Sequence, residues 1–375
     1  MKSRRPLRIA MVSPRYFPAT GGTELHTREV ARRIAAAGHL VTVVTTDPVG
    51  RLSPREEMEG VEIRRVRAWN AGSDLHFAPA VFDLIRRGNW DVVHCQGYHT
   101  LVPPLAMSAA LRANIPYVLT FHGGGHSSAL RNRVRGTQRK LLRPLLARAA
   151  RLVALAEFEL ALFGDRLGIP RERFILIPNG ADLPVVSNPP PIDSSAPIIA
   201  SVGRLERYKG HQRLIAALPS ILKEQPNLRL WIAGSGPYES HLRDLVNRLS
   251  VADHVDIRSI PAGDRHAMAA ELSKISLLVL LSEYETQPIA VLEGLSLGRP
   301  ALVADTPGLS ELAHRGLARS VPLDTGPEAI AAAVLGQLRD PLLPPRDLKL
   351  PTWQDCAEQL LTLYDDVARH PACAS

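Results

Sequence analysis

Residues 7–46, LRIAMVSPRYFPATGGTELHTREVARRIAAAGHLVTVVTT, decide the fold. Leu7 to Val12 is an apolar run interrupted only by Arg8 and closed by Ser13-Pro14, which reads as a buried strand. Ser13 to Gly22 is a loop. Thr23 to about Ala37 is a helix, stopped by Gly38, and Leu40 to Thr46 is a second, β-branched strand. A strand, a helix and a strand in such short order predict a parallel pair joined by a right-handed crossover.

The alternation continues outward from this unit. Asp91 to Cys95, Tyr117 to Phe121, Leu152 to Leu155 and Phe174 to Ile177 are further short strands, most of them separated by helical stretches. Asn188 to Pro197 then places four prolines in ten residues, which neither regular element can continue, so it reads as a linker. Beyond it come strands at Ile198 to Val202, Leu228 to Ala233, Val255 to Arg258, Leu277 to Leu281 and Ala301 to Ala304. Helices at Gln212 to Leu222, Tyr238 to Ser250 and Ile289 to Leu297 lie among them. A second proline-rich stretch, Pro341 to Pro351, precedes a last helix from Trp353 to about Arg369. The expected organisation is an α/β domain over residues 1–187, a linker at 188–197, a second α/β domain at 198–350 and a C-terminal helix at 351–375.

The 375 residues, 45% hydrophobic and 22% charged, suffice for two buried cores and exclude a disordered chain. No apolar run approaches the ~20 residues of a membrane span. The basic start, Met1 to Arg5, is not followed by a secretory apolar region. Three cysteines, Cys95, Cys356 and Cys373, are too few and scattered for a disulfide framework or a zinc cage. A soluble, cytoplasmic protein is expected.

The net charge of +8 is unevenly placed: 27 Lys and Arg face 15 Asp and Glu up to Asp182, against 18 and 22 in the remainder. The first half is therefore suited to an anionic surface. Its densest segment, Arg131 to Arg151, carries eight cations and no acid, with Leu141, Leu142, Leu145 and Leu146 at helical spacing. It reads either as a helix on anionic lipid or as a surface helix with a buried leucine stripe, kinked at Pro144. Nucleic acid is not an expected partner, because no aromatic residues interleave with the arginines.

Three places carry chemistry by their own residues. Gly21-Gly22-Thr23-Glu24 opens a helix after a strand, where free N–H groups and absent side chains suit a phosphate or simply a tight turn. It lacks the third glycine of a dinucleotide fingerprint. Arg204 and Lys209, in the loop after Ile198 to Val202, suit a diphosphate by a planar fork and a point charge, or are solvated surface cations. Glu285 and Glu293 follow the strand Leu277 to Leu281, one on the loop and one on the next helix, where carboxylates can accept from sugar or ribose hydroxyls or stay solvated. His122 ends Tyr117 to Phe121 beside Gly123-Gly124-Gly125.

Six motifs stand in a familiar order: the Gly-Gly-x-Glu loop at Gly21, Thr120-Phe121-His122-Gly123, Ile177-Pro178-Asn179-Gly180-Ala181-Asp182, Val202-Gly203-Arg204-Leu205 with Lys209-Gly210, Ala233-Gly234-Ser235-Gly236-Pro237, and Glu285 to Glu293. Together they make the chain resemble, over nearly its whole length, the retaining family 4 glycosyltransferases. The resemblance implies the GT-B fold: α/β, two facing Rossmann-like doubly wound domains with an inter-domain cleft, and a last helix that returns to the first domain. It implies a nucleotide-diphosphate sugar as donor and a sugar, lipid-linked or small-molecule acceptor. No cofactor and no metal are expected.

Residue by residue, the resemblance assigns Arg204 and Lys209 to the donor diphosphate and Glu293 to the ribose. Glu285 and His122 go to the transferred sugar, and Gly21 and Gly22 to the phosphates from the first domain. Arg258 to Ile260 would lie near the base. Where the family commonly has Glu-Gly-Phe-Gly, this chain has Glu285-Thr286-Gln287-Pro288 followed by Ile289. Proline lacks a backbone N–H, so one donor to the sugar is replaced by the Gln287 amide.

Three other readings fit these residues less well. A phosphorylase would need pyridoxal phosphate on one of six lysines, of which Lys209 is better used by a diphosphate. A UDP-sugar epimerase shares the architecture without this Arg/Lys and Glu/Glu pattern. A non-catalytic nucleotide-sugar or anionic-lipid binding protein explains the basic half but leaves the donor constellation without purpose.

Overall fold

The computed structural model describes residues 5–19, 21–70, 76–123, 129–261 and 263–370. Met1 to Arg4, Gly124, Gly125, Cys373 and the side chains of Arg131, Arg133 and Arg135 lie outside the described residues. The chain forms two compact units.

The first unit runs through β1 (Arg8–Val12), α1 (Gly22–Ala36), β2 (Leu40–Asp47), β3 (Arg55–Met58), β4 (Val61–Arg67), β5 (Trp69–Asn70) and β6 (His76–Phe77). It continues through α2 (Ala80–Arg87), β7 (Val92–Gln96), α3 (Val102–Arg112), β8 (Tyr117–Thr120), α4 (Ala129–Ala147), β9 (Arg151–Ala154), α5 (Glu157–Leu167) and β10 (Phe174–Leu176). Eight strands make one sheet in the order β10-β9-β8-β7-β1-β2-β4-β3. All neighbours are parallel except β3 and β4, an antiparallel hairpin turned at Glu59 and Gly60, both at positive φ (53° and 76°). The parallel expectation fails at this edge and in the separate antiparallel pair of β5 and β6.

Side chains alternate across β1. Ala10 and Val12 enter one core with α2, α3 and α5, while Ile9 and Met11 enter another with α1 and the last helix of the chain. Both faces of this sheet are thus covered, which explains why its central strands read as continuous apolar runs.

The second unit holds β11 (Ile198–Val202), α6 (His211–Glu224), β12 (Arg229–Ala233), α7 (Glu239–Arg248), β13 (Val255–Arg258), α8 (Arg265–Leu272) and β14 (Leu277–Leu280). It ends with α9 (Ile289–Ser296), β15 (Ala301–Ala304), α10 (Ser310–His314), β16 (Arg319–Val321) and α11 (Pro327–Arg339). Its six strands, all parallel, are ordered β13-β12-β11-β14-β15-β16. The last helix, α12 (Trp353–Arg369), is capped by Thr352 and Asp355 in a reciprocal box and packs on α1, within the first unit.

The boundary between the units falls at Gly180 and Ala181, ahead of the proline-rich stretch. Ala181 is fully buried in the second core and Leu183 packs against it, which takes the residues before Asn188 into that unit. Among the described residues no helix is long and apolar enough to cross a membrane.

α4 runs through Pro144. Leu146 is buried and Leu142 and Leu145 lean on the core, whereas Leu141 is 79% exposed beside the exposed Lys140. Arg143 is not a free surface cation, because its Nε donates to the Leu167 carbonyl at 2.7 Å and so closes the carboxyl end of α5.

Candidate functional site

In a doubly wound sheet, a crevice opens at the carboxyl ends of the two strands where the order reverses. In the second unit these are β11 and β14. The loop after β11 carries Arg204 and Lys209, and the loop after β14 carries Glu285. Topology therefore brings together two segments more than seventy residues apart (|i−j| is 76 for Lys209 and Glu285).

Close approach of these loops depends on glycine. A Cβ on Gly210, whose φ is 78°, would stand 2.0 Å from the Leu281 carbonyl oxygen, and one on Gly234 would stand 1.9 Å from that of Gly203. Gly308 has the same role against the carbonyl of Glu285, at 2.2 Å. Thr306 Oγ1 donates to the Ser282 carbonyl at 2.8 Å, so the Glu285 loop is held from below.

Lys209 Nζ donates to both oxygens of Glu285, at 2.7 and 2.9 Å, and Ser282 Oγ donates to Oε1 at 2.8 Å. Burial alone would lower the Lys209 pKa, but the Glu285 carboxylate outweighs it and the net shift is upward. Lys209 is thus a fixed cation. An ammonium has three N–H donors, so one remains after the two bonds to Glu285. Arg204 is more open, with its side chain 27% exposed, and donates to Glu206 at 3.0 Å. His211, fully buried, accepts from Ser201 Oγ at Nδ1 (2.9 Å) and donates from Nε2 to the Arg204 carbonyl (3.2 Å). Burial pushes its pKa down to about 4, so it locks the Arg204 backbone as a neutral ring.

Glu293, 2% exposed on α9, forms an ion pair with Arg265 at the start of α8. Sequence reading did not find Arg265; the available signal was Asp264, which caps α8 through the Ala267 amide at 2.9 Å. Gln287 is half-buried, while Pro288 and Ile289 are buried at the start of α9. Arg258 stands apart. At the end of edge strand β13 its guanidinium lies over Trp231, 5.0 Å from the ring centre, and bonds Asp256 and Glu271, each at 2.6 Å. Neither carboxylate belongs to the Lys209 set. Ile260, beyond it, leans on the core.

In the first unit the order reverses between β1 and β7. Gly21 and Gly22 follow β1 at the start of α1, where Glu24 is buried against Arg15 at 3.2 Å. Arg65, buried on β4, donates to the Phe17 carbonyl at 2.8 Å and pins this loop. His122 follows β8 in the left-handed region (φ 41°), a costly conformation for a non-glycine residue. Buried Glu159 holds the turn, accepting from the amides of Gly123 (3.1 Å) and Leu155 (2.8 Å).

His122 Nε2 donates to Gln96 Oε1 at 2.6 Å, and its ring meets that of His26 edge-on at 4.8 Å. His26 Nδ1 donates to Asn179 Oδ1 at 2.7 Å. Burial holds His26 down at about 4 and His94 down at about 3. Burial also drives His122 well below the usual range, with His26, His94 and His99 adding to it. All three rings are neutral hydrogen-bonding groups at neutral pH. Sequence reading found His122 but not Gln96, His26 or His94.

Residues 20–184 match the family described as Glycosyltransferase Family 4, and residues 186–349 match Glycosyl transferases group 1. The chain is 30% identical to the GDP-mannose:cellobiosyl-diphosphopolyprenol alpha-mannosyltransferase of Xanthomonas oryzae pv. oryzae over 316 residues, 82% of this chain and 81% of that one. It is 27% identical to the phosphatidyl-myo-inositol mannosyltransferase of Mycolicibacterium smegmatis, covering 89% and 85% of the two chains. Among solved structures, sucrose-phosphate synthase from Thermosynechococcus elongatus superposes with a TM-score of 0.76 at 20% identity, over 97% of this chain and 99% of the other. Anabaena HepE in complex with UDP-glucose gives 0.70 at 17% identity, over 98% and 99%. The chain belongs to the family 4 glycosyltransferases and has their GT-B fold.

Proposed function

We propose that this glycosyltransferase moves a hexose-type sugar from a nucleotide-diphosphate sugar to an acceptor hydroxyl, with retention at the anomeric carbon. The observation that carries the reading is the Lys209–Glu285 pair at the reversal point of the second sheet, with Arg204 on the same loop as Lys209. Breaking the bond between the anomeric carbon and the diphosphate leaves negative charge on phosphate oxygens. Arg204 and the remaining N–H of Lys209 stabilise that charge as it develops. They supply the positive charge that a divalent metal would otherwise bring, so turnover in EDTA is part of the reading. Glu285 orients Lys209 and accepts from a sugar hydroxyl, Gln287 adds an amide donor, and Glu293, held by Arg265, accepts from the ribose. To the first unit we assign His122, as a neutral partner for a sugar hydroxyl, and the amides at Gly21 and Gly22, for phosphate.

The base stays open: one relative is named for GDP-mannose, and one structural neighbour was solved with UDP-glucose. Arg258 can reach the base only by giving up one of its two carboxylate bonds. The test is turnover of α-configured UDP-glucose and GDP-mannose with lipid-linked and soluble acceptors in EDTA, read by the one-bond carbon–proton NMR coupling of the new anomeric centre. An α-linked product supports the reading; a β-linked product overturns retention.

We also propose a lipid-linked acceptor met at the cytoplasmic face of a membrane, since two curated relatives are named for polyprenol- or phosphatidyl-linked substrates. Among the described residues of α4, Lys140 and Leu141 are exposed positions suited to such a surface, with Arg139 half-exposed beside them. Each cation near anionic lipid contributes about 1 kcal/mol and is screened over roughly 10 Å at about 0.1 M salt. Salt-sensitive co-sedimentation with phosphatidylglycerol vesicles is expected, weakened by Arg139→Gln with Lys140→Gln. Arg143 is left in place because it closes α5. Absence of binding at low salt would remove the membrane reading and leave the transferase intact.

A further inference from the structure

Gln96 ends β7, is 1% exposed and lies between two histidines. Its Oε1 accepts from His122 Nε2 at 2.6 Å, and its Nε2 donates to His94 Nδ1 at 3.3 Å. Tyr364, on α12, donates its hydroxyl to the same His94 Nδ1 at 2.5 Å, and His94 Nε2 donates to Thr120 Oγ1 at 2.8 Å. The polarities agree. With the Gln96 amide turned so that its Nε2 faces the lone pair of His94 Nδ1, the His94 proton lies on Nε2 and Gln96 presents only its oxygen to His122. A side-chain amide can accept from one ring while donating to another, which a carboxylate or a hydrocarbon of similar size cannot.

We propose that Gln96 is a positioning residue for His122: it holds the ring in the Nε2–H tautomer and leaves Nδ1 as a lone-pair acceptor for a hydroxyl. The catalytic consequence rests on the assignment of His122 to the donor sugar; the tautomer does not. The left-handed backbone of His122 fits this role, since the turn is fixed by Glu159 through Gly123 while the ring is fixed by Gln96. The chain of bonds also links His122 to α12 through His94 and Tyr364, so the C-terminal helix helps to set a ring on a loop after β8.

Among the described residues, the titratable groups around His122 are His26 on α1, His94 on β7, His99 in the loop after β7, Tyr364 on α12 through His94, and Glu159 on α5 through the Gly123 amide. His26 Nδ1 donates to Asn179, so its Nε2 keeps a lone pair, but that buried atom makes no hydrogen bond and does not compete with Gln96 for the His122 proton.

The experiment uses the full chain labelled with 15N-histidine and long-range proton–nitrogen correlations, with His122→Gln to identify the His122 signals. In the wild type, His122 Nε2 is expected to be protonated and Nδ1 unprotonated from about pH 6 to about pH 8. Gln96→Leu is expected to give averaged ring shifts of mixed tautomers. Gln96→Glu keeps an acceptor but adds a negative charge, so His122 should titrate at higher pH than in the wild type. If Gln96→Leu does not fold, Gln96→Glu carries the test alone. A wild-type proton on Nδ1, or ring shifts and titration unmoved by either substitution, would overturn the proposal. With UDP-glucose and GDP-mannose as probes, Gln96→Leu should lower kcat about 10–100-fold with little change in donor KM, as for a slightly misplaced group. A shifted tautomer with unchanged turnover would leave the positioning standing and instead overturn the assignment of His122 to the sugar.

Discussion

Lys209→Ala is expected to lower turnover about 10²–10³-fold, the usual loss when one preorganised donor to a developing anion is removed. The pair it breaks makes the reading testable at a second level. Lys209 and Glu285 have side chains 16% and 10% exposed, so the alanine variant leaves a nearly buried carboxylate that keeps the Ser282 hydroxyl at Oε1 but loses its cation. Melting temperature should fall along with turnover, because breaking a buried pair from one side costs more than the pair is worth. Lys209→Ala combined with Glu285→Gln removes the stranded charge, and the melting temperature should recover. Turnover should not. If it returned, Lys209 would be acting only to neutralise Glu285 and not on the diphosphate. Arg204→Ala should also lower turnover strongly, without the stability change, because that side chain is partly exposed and its partner Glu206 lies on the same loop.

Trp353→Ala is expected to destabilise the first unit by about 3–5 kcal/mol. Trp353 opens α12 and is 1% exposed, with its backbone so close to Gly180 that a Cβ there would stand 2.2 Å from the Trp353 nitrogen. The indole stands 6.2 Å from the His26 ring, centre to centre, and the rest of α12 seats Cys356, Leu360, Tyr364 and Val367 in the core shared with α1. For a unit of this size the loss corresponds to a drop of roughly 6–20 °C in melting temperature. Trp69→Ala is the control. That ring is 59% exposed, and its removal should change stability by no more than about 0.5 kcal/mol. Equal shifts for the two variants would mean that α12 contributes little to the first unit.

Much of this fold was legible because parallel strands covered on both faces are written as short β-branched or apolar runs, as in Ile9 to Val12 and Leu277 to Leu280. Strand β4 was missed for the opposite reason. Val61 to Arg67 holds four charged residues, and only the alternation of Val61 (1% exposed) and Ile63 (0%) betrays its buried face. The prolines at 189–191 are visible in a way that the unit boundary at Gly180 is not, since the boundary depends on which core takes Ala181.

The same division holds at the site. Arg204, Lys209, Glu285 and Glu293 were singled out by segments that follow strands and by the family resemblance, and the structure sets Lys209 against Glu285. Arg265, His211 and Gln96 were not, because their meaning lies in partners supplied by the tertiary fold: Glu293, the Arg204 carbonyl and His122. Arg258 shows the reverse. The resemblance placed it near the base, and the structure ties its guanidinium to Asp256 and Glu271.

Titration calorimetry with UDP, GDP, ADP and TDP tests the central claim most directly, because it needs neither the acceptor nor the sugar to be known. At least one nucleoside diphosphate should bind the wild-type protein. Its affinity should fall about tenfold or more in Arg204→Ala and in the folded Lys209→Ala, Glu285→Gln protein, consistent with loss of a charge-assisted hydrogen bond of about 1.5–3 kcal/mol. No binding by any of the four at millimolar concentration, or binding indifferent to both substitutions, would contradict the assignment of these loops to a donor diphosphate.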